Sequence, residues 1–326
     1  MTRTAKPLAI LFALALLAAC GGSGSGSGST DAEKATPEGD QIAPQLASYD
    51  LAVGTQRFMV GLVTQENELI GGGKVDLKFA YLGTREAETK GEVVAESEAE
   101  FLPIPADANG PDPEVPDEPS LLPSAEGSGV YATQASFDKP GFWGVVIEAD
   151  VEDEGKWTGR TTFEVFDKHR FPWIGEDAPR SENLTAGAAD APAAAVDSRA
   201  REGKDLPDPE LHRMTVAASI ASGKPTLLVV STPTYCVSRF CGPITDMVQG
   251  LSKEYAGTAN FIHIEVWRDF EAKEINRAAA EWMLRGETAL EPWVFLIGAD
   301  GKIAGRWDNV ATKGEIEPAL KALGTS

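Results

Sequence analysis

The chain has 326 residues, room for roughly two domains of about 150 residues with tails to spare. Apolar residues at 42% and charged residues at 24% exclude a chain disordered throughout and one that crosses a membrane many times. Lys+Arg 29 against Asp+Glu 50, a net charge of -21, excludes a broad basic face for nucleic acid, and three cysteines with three histidines are too few for a disulfide-dense scaffold or a multi-ligand zinc module.

At the N-terminus, Arg3 and Lys6 precede an apolar run over 8–19, too short to span a bilayer, so 1–19 reads as a signal peptide. The run ends Leu17-Ala18-Ala19-Cys20, which resembles the bacterial lipobox. That resemblance implies cleavage before Cys20, attachment of lipid (palmitate among its acyl chains) to Cys20, and an extracytoplasmic protein held to a membrane of the cell envelope. Residues 21–30 are Gly and Ser but for a closing Thr30, so 20–44 is expected to be a lipidated Cys and flexible tether. With Cys20 lipidated, Cys236 and Cys241 remain as one pair, in a compartment where disulfides persist.

Over 45–170, short segments rich in Val, Phe, Tyr and Thr at 58–63, 74–82, 129–137, 143–149 and 160–166 predict an all-β sandwich. Between the second and third, 103–123 holds seven prolines and five acids and reads as a long solvated loop rather than a strand. Gly129-Val130-Tyr131, Phe137, Gly141 and Trp143 resemble the Gly-x-Tyr to Gly-x-Trp core of immunoglobulin-like envelope domains, which implies that Trp143 fills the sandwich core. Residues 31–173 hold 28 acids and 11 bases, whereas 212–326 hold 13 acids and 12 bases, so the acidic surface belongs to the β part. Ala- and Pro-rich 171–211 reads as a linker, and its Asn183-Leu184-Thr185 sequon as chance.

From Lys224 the pattern changes. The apolar run 225–231 predicts a strand covered on both faces, and Ile244, Met247, Val248 and Leu251 predict a helix running to Tyr255. A strand at 261–266, a helical stretch at 271–285, a strand at 291–297, an Asp300-Gly301 turn into a strand at 303–307, and a helix at 313–323 complete the order β-α-β-α-β-β-α.

This order, with Cys236 and Cys241 after the first strand and Pro292 opening a later one, resembles thioredoxin over 212–326. The resemblance implies a cis-Pro292 facing the cysteines, preceded by Glu291, and a reactive thiol at a helix N-terminus, where unpaired N–H groups favour the thiolate. The spacing is Cys-x4-Cys in place of Cys-x2-Cys, and two alignments remain open. Counting back from Tyr255 makes Cys236 the nucleophile and Cys241 the resolving thiol; matching Cys241-Gly242-Pro243 makes Cys241 the nucleophile, with Ile244 at the resolving position. Val229 stands where thioredoxins carry a buried acid.

The expectation is therefore a multidomain envelope lipoprotein, an immunoglobulin-like β domain joined to a thioredoxin-like domain. It would act in thiol-disulfide exchange on the thiols or disulfides of envelope proteins through Cys236, Cys241 and Pro292. No cofactor and no resident metal are expected, and nucleic acid is not a partner. Two other readings carry different tests: a binding lipoprotein with a structural disulfide, and a copper chaperone using both cysteines with His263. His169 and His212 fall in segments without ligand spacing, and Trp267, Trp282 and Trp293 read as core.

Overall fold

Period-2 burial builds nine antiparallel strands: β1 Ala43–Leu46, β2 Gly54–Val63, β3 Leu69–Gly71, β4 Lys74–Gly83, β5 Val93–Pro103, β6 Ser120–Leu122, β7 Gly129–Phe137, β8 Gly141–Val151 and β9 Gly155–Val165. They come from a computed structural model that describes residues 42–87, 89, 91–104, 114–123, 129–188, 191–236 and 240–324. The expected signal peptide, Cys20 and most of the expected tether lie outside the described residues.

The strands follow one hydrogen-bonded order, β6-β3-β2-β7-β5-β4-β8-β9, with β1 also on β2. The far end returns to the start: Ile42 N–H donates to Thr158 O at 3.0 Å and Val53 N–H to Phe166 O at 2.9 Å. The expected sandwich is thus realised as one sheet curled on itself, whose inward side chains share a core. Phe58 and Phe79 meet edge to face at 5.1 Å, as do Phe137 and Trp143. Such pairs add roughly 0.5–1.5 kcal/mol beyond the area they bury. Trp143 is 1% exposed, as expected of a core residue. Gly129 has no Cβ for a reason: one would strike the Phe101 ring and the Leu102 carbonyl.

Two β elements differ from the sequence reading. Strand β5 went unpredicted because its inward residues Ala95, Ser97 and Ala99 are small and alternate with Glu96, Glu98 and Glu100, a weak strand signal. Within 103–123, Pro103 ends β5 and Ser120–Leu122 pairs with β3, so part of the expected loop is sheet; 105–113 lies outside the described residues.

The expected linker 171–211 is built into the structure. Phe171 packs on Trp293 at 5.1 Å. A short helix, α1 Ala193–Val196, runs into 3-10 turns at Ser198–Gly203 and Pro209–His212. Asn183 of the sequon is buried, and its Oδ1 accepts from Val216 N–H at 2.8 Å at the start of helix α2, Val216–Ala221.

The remaining elements are β10 Thr226–Ser231, α3 Cys241–Glu254, β11 Asn260–Glu265, β12 Trp267–Asp269, β13 Glu274–Ile275, α4 Arg277–Met283, β14 Leu284–Arg285, β15 Thr288–Ala289, β16 Trp293–Ile297, β17 Ile303–Asp308 and α5 Lys313–Gly324. Four strands form a mixed sheet, β11-β10-β16-β17, with β10 and β11 parallel and the others antiparallel. β10 is buried throughout because alternate residues feed two cores: Leu228 and Val230 join Ile262, Trp293 and Phe295 on one face, while Leu227 and Val229 join Val248, Leu251 and Ile316 on the other. Helix α4 is shorter than the expected 271–285 because Lys273 takes φ 58, Glu274–Ile275 pairs with β12, and Leu284 enters β14. Among the described residues no helix is long and apolar enough to cross a membrane.

Residues 47–59 of the β part pack against the α/β part. Arg57 donates to Val310 O at 2.7 Å and pairs with Glu315 at 2.9 Å. Asp50, buried, lies 3.1 Å from Arg306 Nη1 and 3.2 Å from His169 Nδ1. Burial works against the Asp50 charge, but His169, Arg306 and Arg170 outweigh it and lower its carboxyl to about 2.

Candidate functional site

Strand β10 delivers the chain to the edge of the mixed sheet, where a turn over 233–235 leads to Cys236. Cys241 is the first residue of α3, and the two cysteines are disulfide-bonded with Cα atoms 6.0 Å apart. Residues 237–239 lie outside the described residues. Cys241 is wholly buried and Cys236 is partly buried, so the two residues of the pair differ in exposure. The Cys241 N–H donates to Cys236 Sγ at 3.4 Å. A helix's first N–H groups have no intrahelical acceptor, so this amide favours negative charge on Cys236 once the bond is reduced. Ser231 anchors the helix start: its hydroxyl donates to Thr245 Oγ1 at 2.7 Å, and Thr245 donates to Cys241 O at 2.7 Å.

Pro292 follows a cis peptide bond from Glu291 and directly precedes β16, whose Trp293 is in register with Val230. Pro292 therefore stands beside the end of β10, at the edge the cysteine loop leaves. Glu265 ends β11 in register with Ser231, which sets it at the same edge. It is buried, with Oε2 accepting from Ser198 N–H at 2.8 Å and Oε1 from Trp267 N–H at 3.2 Å, and burial pushes its carboxyl above the usual range. Burial, and then the Glu265 charge, push Glu291 up to about 7. Acids thus flank this edge even though Val229 is apolar. Sequence reasoning passed over Glu265; the signal was an acid closing an otherwise apolar strand.

Each cysteine follows an aromatic residue. Tyr235 stacks on Phe270 at 3.9 Å, Trp267 meets Phe270 edge-on at 5.4 Å, and the Lys273 ammonium lies 4.0 Å over the Phe270 ring. Phe240 packs with Met59 and Val130 of the β sheet and with Val310. From the β part, Tyr49 donates to Glu291 O at 2.6 Å, and its ring meets Trp293 at 5.6 Å.

A second cluster lies on the α3 side of β11. Asp197, His212 and His263 are buried, with ligand atoms within 4.8 Å of one another. Arg199 forks onto Asp197, Nε to Oδ1 at 3.0 Å and Nη2 to Oδ2 at 2.7 Å, and also reaches Asp208 at 2.7 Å and Asp246 at 3.0 Å. Burial opposes the Asp197 charge, yet both imidazoles and Arg199 outweigh it and hold its carboxyl well below the usual range. Burial keeps His212 below its ordinary value, against the opposing pull of Asp197. In the sequence His212 has no ligand spacing, and positions 197, 212 and 263 share none; only the packing of 193–212 along β11 unites them. His263 Nε2 faces Ser231 O and Nδ1 faces Asp197, so a copper centre with the cysteines would require it to leave both. His169 stacks on Trp173 at 3.4 Å.

No protein-family model matches the chain, and no curated protein matches it in sequence.

Proposed function

We propose that the chain is a lipid-anchored, extracytoplasmic thiol-disulfide exchanger, with Cys236 as attacking and Cys241 as resolving sulfur. The observation that carries this reading is the asymmetry of the pair: a partly buried Cys236 with a helix-terminal N–H on its sulfur, bonded to a wholly buried Cys241. The order of elements in the α/β part and cis-Pro292 at the cysteine edge support reading that part as thioredoxin-like. The aromatic core around Trp143 supports reading the β part as an immunoglobulin-like accessory domain. The lipobox ending at Cys20 supports the anchor.

In the reducing direction the Cys236 thiolate attacks one sulfur of a partner's disulfide, the partner's other sulfur leaves as thiolate, and a mixed disulfide remains. Cys241 gives up its proton and attacks Cys236 Sγ; the second partner thiolate leaves and the Cys236–Cys241 bond re-forms. Two electrons pass to the partner, and the same steps in reverse oxidise a partner dithiol. The stacked Tyr235 and Phe270 offer an apolar rest for the partner segment beside Cys236.

The test is trapping in a native envelope. Cys241→Ser should accumulate mixed disulfides through Cys236, and Cys236→Ser should not. A pair that stays oxidised in glutathione buffers down to about -300 mV, with no trapped partner in either variant, overturns the reading in favour of a structural disulfide.

A further inference from the structure

We propose that Asp197, His212 and His263 form a site for a divalent transition-metal ion, zinc first among them, that fastens the 193–212 segment to strand β11. The inference stands apart from the role of the disulfide.

The argument begins with protons. His263 Nε2 lies 3.2 Å from Ser231 O, a group that only accepts, so Nε2 carries a proton and Nδ1 is the atom left for a ligand role. Nδ1 faces Asp197 Oδ2 at 3.3 Å. An imidazole nitrogen and a carboxylate oxygen that face each other in a buried site call for a proton or a metal cation between them. A proton alone fits poorly: charge-assisted N–H···O bonds run at about 2.7–2.9 Å, and His263 Nδ1 makes no hydrogen bond. His212 repeats the pattern. Its side chain is 0% exposed, neither ring nitrogen has a hydrogen-bond partner, and Nε2 lies 3.4 Å from the same Oδ2. Leaving such a nitrogen buried and unpaired is costly, and coordination removes that cost for Nε2.

The spacing fits an ion. For metal–ligand bonds of about 2.1 Å, the edge of a tetrahedron is about 3.4 Å. The two nitrogen-to-Oδ2 separations, 3.3 and 3.4 Å, match that edge, and with all three ligand atoms within 4.8 Å of one another the two imidazoles need only draw together onto the ion. The Nε2–H of His263 on a backbone carbonyl is the arrangement that fixes the tautomer of metal-bound histidines. Two imidazoles and a carboxylate suit zinc and its divalent neighbours; Cu(I) favours sulfur, and Mg2+ and Ca2+ favour all-oxygen sites. Three protein ligands leave a position for water.

Charge also favours a cation. Asp197, Asp208 and Asp246 surround the single guanidinium of Arg199, which is 27% exposed and stands on the solvent side. Arg199 holds Asp208, Asp246 and Asp197 Oδ1 as well, so it can yield Oδ2 to an ion and keep its other partners.

The test uses the full chain with the Cys236–Cys241 bond oxidised, stripped with chelator and titrated with Co(II). Expected are one equivalent bound, visible ligand-field bands of tetrahedral intensity, and displacement by Zn(II). His212→Asn should lose more affinity than the roughly 10- to 100-fold that loss of a ligand-orienting partner costs. Because this variant replaces a buried side chain, imidazole nitrogen NMR of the wild type provides a second reading: Zn(II) should shift His212 and His263 and leave His169 unmoved. Weak binding to many exposed carboxylates without the bands, a sulfur-to-cobalt charge-transfer band, or NMR shifts absent from either His212 or His263 each overturn the assignment.

Discussion

The β part and the α/β part bury different kinds of atoms. Inside the curled sheet the core is hydrocarbon and aromatic ring, with Phe58, Phe79, Phe137 and Phe163 in mutual contact and Trp143 against Phe137. The α/β part buries Asp197, His212, His263 and Glu265, and it turns Arg306, 3% exposed, toward Asp50 across the contact between the parts. A buried charge is costly unless it is paired, so each must answer to a partner, whereas a ring in the β core answers only to volume. The difference teaches where chemistry is to be sought. The β core can accept changes of similar volume, while the edge of the mixed sheet holds groups whose ionisation depends on their neighbours.

The comparison is broken most strongly in the hydrocarbon core. Phe58→Ala should cost about 4 kcal/mol of stability in denaturant unfolding, through lost burial and the cavity left behind, with thiol chemistry per folded molecule unchanged. A loss below about 1 kcal/mol would show that the sheet core is not packed as described. Next comes Asp50→Asn, which leaves buried Arg306 with Asp308 but without its ion pair to Asp50, and should cost about 3 kcal/mol. Its pH signature differs from that of Phe58→Ala. Because the folded carboxyl titrates at about 2, the unfolded chain binds more protons as pH falls through its ordinary range; the stabilisation is full above about 4 and lost on the way down to about 2. Urea unfolding across that range should show a steep acid limb in the wild type and a shallower one in Asp50→Asn.

Much of this was legible in the sequence where one residue type dominates a pattern. The apolar runs of β10 and β16, the spacing of α3 and the strands around Trp143 declared themselves by periodicity, and Cys236 with Cys241 by elimination of other sulfur. What stayed hidden depends on groups distant in the chain. Ala95, Ser97 and Ala99 carry too little side chain to announce β5. Asp197, His212 and His263 come from three separate elements, and Tyr49 reaches Glu291 from across the molecule. The 171–211 stretch has the Ala and Pro content of a linker, yet Phe171, Ala195 and Val196 are buried because the α/β sheet offers them an uncovered edge and face.

The smallest effect belongs to Glu291, and it sharpens the contrast within the α/β part itself. Its carboxyl titrates at about 7 in the fold because burial, then the Glu265 charge, disfavour ionisation. Between its ordinary value near 4.5 and about 7 the folded chain therefore holds a proton that the unfolded chain has lost. That contribution to stability is present below about 4.5 and disappears as pH rises through about 7. With the residue partly open to solvent, the change should be about 1 kcal/mol, and Glu291→Gln should abolish it. The same substitution bears on the cysteines. Above about pH 7 a charged Glu291 beside Pro292 opposes a thiolate at the shared sheet edge, so Glu291→Gln should lower the Cys236 thiol pKa and make the disulfide more oxidising; below about pH 6 the two proteins should converge. Thiolate absorbance against pH and equilibration with glutathione buffers measure the two quantities. A lost stability slope with an unchanged thiol would confine Glu291 to the fold, because like-charge repulsion acts on the sulfur only if the carboxylate shares its low-dielectric surroundings.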